Sequence, residues 1–189
     1  MLATLIPLFD EKMTVKAYSL FTQKTNMLLN PMLLGTGSND GAGSIAGLDI
    51  INSLGLENLS KSSDIFIPVT NVSIFSAIEE QCDAPAARIV ILIDKSIKPD
   101  DMYINRIREL KTKGYRFAIR KLTVPDFEPY RNILTLMNYI FLDHKKIVIE
   151  KARIYFTKVY PDIKLIAGNI ATQEAFNNLK ETGGYQFYE

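Results

Sequence analysis

Asp94 and Asp143 stand at the ends of apolar runs, where α/β enzymes place catalytic groups. Arg120, Lys121, Pro68 and Gly168 occupy the comparable positions of other runs. Hydrolysis with two metal ions needs several converging carboxylates, and two are too few to hold such a centre. His144 follows Asp143 directly, but it is the only histidine and has no cysteine near it, so it reads as a surface imidazole without a relay partner. No nucleophile elbow and no Ser, His and Asp set is recognisable. Gly35 to Ser44 is a glycine-rich stretch before a helix, a pattern that can hold phosphate on backbone N–H groups. It lacks the Gly-Lys-Ser/Thr ending of a phosphate loop, so it is expected to be a connector.

These residues need a scaffold, and the sequence alternates two kinds of segment. Thr4–Leu8 and Thr14–Thr22 are β-prone and joined by the polar Asp10-Glu11-Lys12, which predicts an antiparallel hairpin. Ile45, Leu48, Ile51 and Leu54 are spaced for a helix. Apolar runs follow at Ile65–Val69, Ile89–Ile93, Arg116–Leu122, Tyr139–Leu142, Lys164–Ala167 and Tyr185–Tyr188. Helices are expected at Val72–Gln81, Asp100–Lys113, Pro129–Met137, Lys145–Val159 and Thr172–Glu181. A run such as Ile89-Val90-Ile91-Leu92-Ile93 is apolar on both faces, which suits parallel strands covered by helices. Two hairpin strands and six more fit a closed α/β barrel of eight strands, and an open doubly wound sheet fits the alternation nearly as well. In the barrel, Ile67, Ile91, Ile119 and Ile166 are expected in the interior or just beneath the mouth.

The 189 residues suffice for one domain with a sizeable core, read here as spanning 1–189. A usual barrel of this kind has about 250 residues. The ending Gly184–Glu189 reads as a strand cut short, so a longer parent protein is expected. With 22 Lys and Arg against 21 Asp and Glu, the net charge of +1 gives no broad field to draw nucleic acid or anionic lipid. The single Cys82 can form no internal disulfide, and one cysteine with one histidine cannot make a Cys/His metal site. No run reaches the roughly 20 apolar residues of a membrane helix, and Met1–Phe9 lacks the features of a signal peptide. A cytoplasmic location is the expectation.

Several stretches together resemble the EAL family, bacterial phosphodiesterases acting on cyclic-di-GMP, and especially the form joined to an HDOD domain. They are Pro7-Leu8-Phe9-Asp10 with Val15–Phe21, then Ile97-Lys98-Pro99 through Arg106–Ile119. Leu165-Ile166-Ala167 with Thr172–Phe176, and Gly184–Tyr188, extend the likeness over nearly the whole chain. The resemblance implies a TIM-like (β/α)8 barrel with an N-terminal antiparallel hairpin strand. The family's chemistry is not carried over. Its signature glutamate falls on Ser19 and the following phosphate-contacting arginine on Gln23. The metal-binding asparagine falls on Pro68, and the glutamate of the next strand on Ile91. The paired aspartates fall on Arg120 and Lys121. The strand with a catalytic lysine and neighbouring aspartate reads Phe141-Leu142-Asp143, and later glutamates fall on Gly168 and Ala171.

A cation about 4 Å from another unit charge is repelled by about 4 kcal/mol at an effective dielectric of 20, and a divalent ion about doubles this. The resemblance therefore implies a domain without metal or other cofactor and without phosphodiesterase activity. It would be a pseudo-enzyme acting in bacterial signal transduction through a protein partner or a fused, HDOD-like regulatory domain. A second copy of the chain is among the admissible partners, membrane and nucleic acid are not, and a cyclic dinucleotide is disfavoured. The alternative is a non-hydrolysing binder of a nucleotide such as cyclic-di-GMP, or of another phosphate ligand, with Arg120 and Lys121 as the anion site. In either case Arg120 is expected to pair with Asp143.

Overall fold

In the computed structural model, which describes residues 2–23, 45–143 and 149–189, the strands close on themselves in sequence order. They are β1 (Leu2–Phe9), β2 (Val15–Gln23), β3 (Asp64–Pro68), β4 (Ile89–Ile93), β5 (Arg116–Ile119), β6 (Tyr139–Asp143), β7 (Lys164–Gly168) and β8 (Tyr185–Tyr188). β1 is antiparallel to both β2 and β8, and the neighbouring pairs from β2 to β8 are parallel. Closure removes the free edges an open sheet would expose, so the barrel, with its hairpin strand, is the correct alternative. The hairpin turns where Asp10 can accept from the N–H groups of Lys12 (2.8 Å) and Thr14 (2.9 Å).

The described helices are α1 (Ala46–Leu54), α2 (Leu56–Ser60), α3 (Asp101–Thr112), α4 (Arg131–Leu134), α5 (Ile149–Val159) and α6 (Gln173–Thr182). Asp100 caps α3 by accepting from Tyr103 N–H at 3.2 Å, and Thr172 caps α6 by accepting from Ala175 N–H at 3.1 Å. The connector Gly35–Ser44, His144 and the expected start of a helix at Lys145 lie outside the described residues.

Two expected helices are shorter than their apolar spacing suggests. Val72–Gln81 is not an α-helix but two 3-10 turns, Ser73–Phe75 and Ile78–Glu80. Thr70 and Ser73 hydroxyls accept from each other's backbone N–H, and Arg106 donates to the carbonyls of Ile74 (3.0 Å) and Ser76 (2.7 Å), so side chains take the bonds a helix would use. Within Pro129–Met137 only Arg131–Leu134 is α-helical. Its end tightens into bonds from Leu136 to Ile133 and from Met137 to Leu134, and Lys111 binds the Leu136 carbonyl at 2.6 Å. β5 stops at Ile119, short of the expected Leu122, because Lys121 has φ 63° and leaves the extended region.

The strands pack two shells. Leu8, Ala17, Phe66, Val90, Leu92, Ala118, Tyr139, Phe141, Ile166 and Phe187 form the barrel interior. Ile65, Ile67, Ile89, Ile91, Ile93, Phe117, Ile119 and Leu142 belong to the outer shell, with helix residues such as Leu48, Ile107 and Phe156. Of the four isoleucines expected inside, Ile166 is there, while Ile67, Ile91 and Ile119 face the helices. Side chains alternate with period two, so a reading one residue out of step places a residue on the opposite face.

Helix α1 lies directly on Ile67. A Cβ at Gly47 would come 2.7 Å from Ile67 Cγ2, inside any normal contact. Gly47→Ala is expected to destabilise the fold by about 1–3 kcal/mol, although alanine favours helix. Urea unfolding, with an unchanged slope and a lower midpoint, is the check.

Outside the barrel, Glu79 accepts from Arg106 at 3.1 Å and is paired with Lys113, and Glu109 binds the same two cations at 2.8 and 3.0 Å. Burial pushes the Glu79 carboxyl up, but the bonds from Lys113 and Arg106 outweigh it and hold the group at about 2, against 4.5 unperturbed. A carboxyl whose pKa is lowered by folding stabilises fully above the unfolded value and loses that contribution as pH falls through the folded value. Stability is therefore expected to fall between about pH 5 and pH 2, and Glu79→Gln should flatten that fall, as measured by urea midpoints across this range.

Candidate functional site

The inward positions nearest the barrel mouth surround a cavity of about 480 Å³ lined by Ile6, Phe21, Arg120, Lys121, Phe141, Asp143, Gly168, Asn169, Ile170, Ala171 and Glu189. Arg120 continues the register of β5, its N–H donating to the Ile93 carbonyl at 3.0 Å, and Glu189 continues β8 by donating to the Ala167 carbonyl at 2.9 Å. These ladder bonds set both side chains on the inner face.

The Arg120 guanidinium lies over the Phe21 ring, 4.6 Å from its centroid, in cation–π geometry. The expected salt bridge to Asp143 is not formed: Asp143 shares the cavity, but no ion pair joins it to Arg120, and the charges acting on Arg120 are those of Asp94 and Glu189. The Phe21 ring, rather than a carboxylate, is the close neighbour of the guanidinium. Burial lowers the Arg120 pKa against the pull of those two carboxylates. Burial also raises the Glu189 carboxyl; Arg120 opposes the shift and Asp143 adds to it. Lys121 is exposed and donates to Asp94 at 2.9 Å. Burial of Asp94 works against ionisation, yet the Ser96 N–H and Lys121 keep its pKa below the usual value.

The remaining positions singled out from the sequence divide. Ser19 is fully buried on the inner face of β2, and its hydroxyl has no hydrogen-bond partner among the described residues. Gln23 ends β2, and Pro68 ends β3. Ile91 is misplaced as an inward position, since it is fully buried in the outer shell and the inward neighbours on β4 are Val90 and Leu92. Gly168 lies beside Glu189, whose Oε2 would be in ordinary contact, 3.5 Å, with a Cβ there. Phe21 and Glu189 were not foreseen. Glu189 has one signal in the sequence, a charged residue two places after Phe187 on a strand with period two.

The donor chemistry of the described residues does not fit a pair of divalent ions. No group of three or more His, Cys, Asp or Glu side chains able to hold a metal occurs among the described residues. Asp94 is engaged by Lys121, and the carboxylates that remain at the mouth, Asp143 and Glu189, share it with the Arg120 guanidinium. What the mouth can do is hold an anion against Arg120, with Lys121 at the rim.

An eight-stranded α/β barrel whose first strand runs antiparallel to both neighbours defines the class, and solved structures narrow it to an EAL-like fold. The PaMucR phosphodiesterase in complex with c-di-GMP superposes with a TM-score of 0.72 at 11% identity, covering 99% of this chain and 92% of that one. BlrP1 of Klebsiella pneumoniae, in its manganese complex with cyclic-di-GMP, gives 0.71 at 11% identity over 98% of this chain and 53% of that one. The cAMP-bound EAL enzyme Bd1971 gives 0.66 at 12% identity; the chain spans 60% of that protein's length and 99% of its own. No family model and no curated protein matches. The expectation that this chain is no enzyme does not stand against these neighbours, which include EAL enzymes and a phosphodiesterase. Among the described residues, no helix is long and apolar enough to cross a membrane.

Proposed function

We propose that the chain is a signalling barrel of the cytoplasm that binds a phosphate-bearing ligand of the nucleotide class at its mouth. The observation that carries this reading is Arg120. Its guanidinium is half-buried over Phe21, and no described residue pairs with it as an ion-pair partner or hydrogen-bond acceptor. A guanidinium offers five N–H donors in a plane that matches phosphate oxygens, so a phosphate at the mouth would find a ready partner. Solved structures of the same fold hold c-di-GMP, cAMP or cGMP, which supports the same ligand class.

A second reading, a module that docks a protein partner or a fused HDOD-like domain, is favoured by Val72, Phe75 and Met102, which are 50%, 42% and 57% exposed.

The test is calorimetric titration with cyclic-di-GMP and with inorganic phosphate, run beside thermal unfolding and product analysis in magnesium and manganese. A ligand at 100 times its dissociation constant should stabilise the fold by about 2.7 kcal/mol. Absence of heat and of any thermal shift with either compound would remove the anion reading and leave the docking module.

A further inference from the structure

The charges at the mouth are sorted by side rather than paired. Glu189 is half-buried, and among the described residues its carboxylate forms no ion pair and no hydrogen bond. That carboxylate sits over the end of β7, where a Cβ at Gly168 would be 3.5 Å from Glu189 Oε2 and 3.8 Å from Phe141 Cδ1. Asp143 is the register partner of Gly168, so both carboxylates gather on the β6–β7 side. The Arg120 guanidinium stands elsewhere, over Phe21 of β2. In the closed barrel β8 and β1 separate β7 from β2, which makes three strand spacings of roughly 4.8 Å along the wall. On β1 the lining residue between the two charged sides is Ile6.

Opposite charges in a partly enclosed site attract more strongly than in water. Arg120 and Glu189 act on each other's ionisation, yet no ion pair joins them. Each is held on its own side. The contact with the Phe21 ring keeps the guanidinium over β2. Glu189 is tied on the other side by its N–H to the Ala167 carbonyl and by its carbonyl to the Ile170 N–H, both at 2.9 Å. A ligand with one charge answers only one of these groups, and an anion on Arg120 also meets the carboxylates. A ligand with both charges answers both. Burial raises the Glu189 pKa, and an ammonium beside it would favour the ionised form again. The cavity of about 480 Å³ falls within the range of small-molecule sites, about 300–1,000 Å³.

We infer that the mouth selects a zwitterion, a phosphate ester whose short carbon chain ends in an ammonium group. The phosphate lies on Arg120, the methylenes run past Ile6, and the ammonium donates to Glu189. The inference rests on the anion reading of Arg120 and adds to it a cationic nitrogen a few bonds from the phosphate. Glu189 is then the residue that sets specificity, because it rewards the ammonium and repels a ligand that carries negative charge alone.

O-phosphoethanolamine is titrated calorimetrically into the full chain at neutral pH, beside ethyl phosphate, which lacks the ammonium, and ethanolamine, which lacks the phosphate. O-phosphoethanolamine is expected to bind about tenfold more tightly than ethyl phosphate, or better, since a hydrogen bond to a charged group is gained. Ethanolamine alone should give no measurable heat. In Glu189→Gln the two phosphates should move in opposite directions. O-phosphoethanolamine loses its advantage, while ethyl phosphate, relieved of a repelling carboxylate, keeps or gains affinity. An equal loss of both would assign Glu189 to the fold and overturn its part in selection. Equal affinities in the unsubstituted chain, or an advantage that survives Glu189→Gln, would overturn the zwitterion while leaving the anion site in place. No binding of either phosphate would remove the anion site itself, and the inference with it.

Discussion

Replacing Phe66 with Ala is expected to destabilise the barrel by about 3–5 kcal/mol. Phe66 is fully buried at the centre of the barrel interior, edge to face with Tyr139 at 5.2 Å and with Phe141 at 5.9 Å between ring centroids. Such contacts add about 0.5–1.5 kcal/mol per pair beyond burial of area. The remaining cost is the cavity. A closed ring of hydrogen-bonded strands cannot draw inward to fill the space, so the loss should lie toward the upper end of the range. Against a total stability of about 5–15 kcal/mol, this would unfold a large share of the molecules under mild denaturation. Urea unfolding should show a much lower midpoint with an unchanged slope. A loss below about 1 kcal/mol would mean that the interior repacks freely and that the aromatic contacts do not define it.

The same interior shows where the sequence was legible and where it was not. The limits of β4 and β8 are those of the apolar runs Ile89–Ile93 and Tyr185–Tyr188, and α3 starts one residue after the cap Asp100, because a run without polar breaks and a capping carboxylate are strong local signals. Those unbroken runs also hide which face is inward. In Ile89–Ile93 every side chain is buried, so nothing in the residue types separates Val90 and Leu92 inside from Ile91 outside. The resemblance sets the family's glutamate on Ile91, and nothing in the run itself moves that position to Leu92. Charged strand ends break the ambiguity, and Arg120 and Asp143 do reach the mouth. Their pairing was not legible, because it is decided by Phe21 and Glu189, which come from strands far away in sequence. The 3-10 turns between β3 and β4 were hidden for a similar reason. Their carbonyls are satisfied by Arg106, about 30 residues along the chain.

Replacing Arg120 with Gln is expected to weaken binding of phosphate or of a cyclic dinucleotide at the mouth by about 100-fold or more. Hydrogen bonds to charged groups contribute about 1.5–3 kcal/mol each. A bidentate guanidinium–phosphate contact makes two, while glutamine can donate only from its amide and carries no charge. Loss of the cation also leaves Asp143 and Glu189 facing the anion with less to offset them; Lys121 at the rim is already engaged by Asp94. The fold itself should change little, since Arg120 is only half-buried and no described ion pair is broken by its removal. Burial already lowers the arginine's pKa, so relief of that desolvation offsets part of the lost contact with Phe21. Lys121→Gln provides the internal comparison. It breaks an exposed pair with Asp94, and the effect on affinity should stay within about fivefold, since exposed pairs contribute about 0.2–1 kcal/mol. Calorimetry on the two variants gives the ratio. If Arg120→Gln binds phosphate as the unsubstituted chain does, or if Lys121→Gln is the more damaging change, the anion is not held by the guanidinium over Phe21.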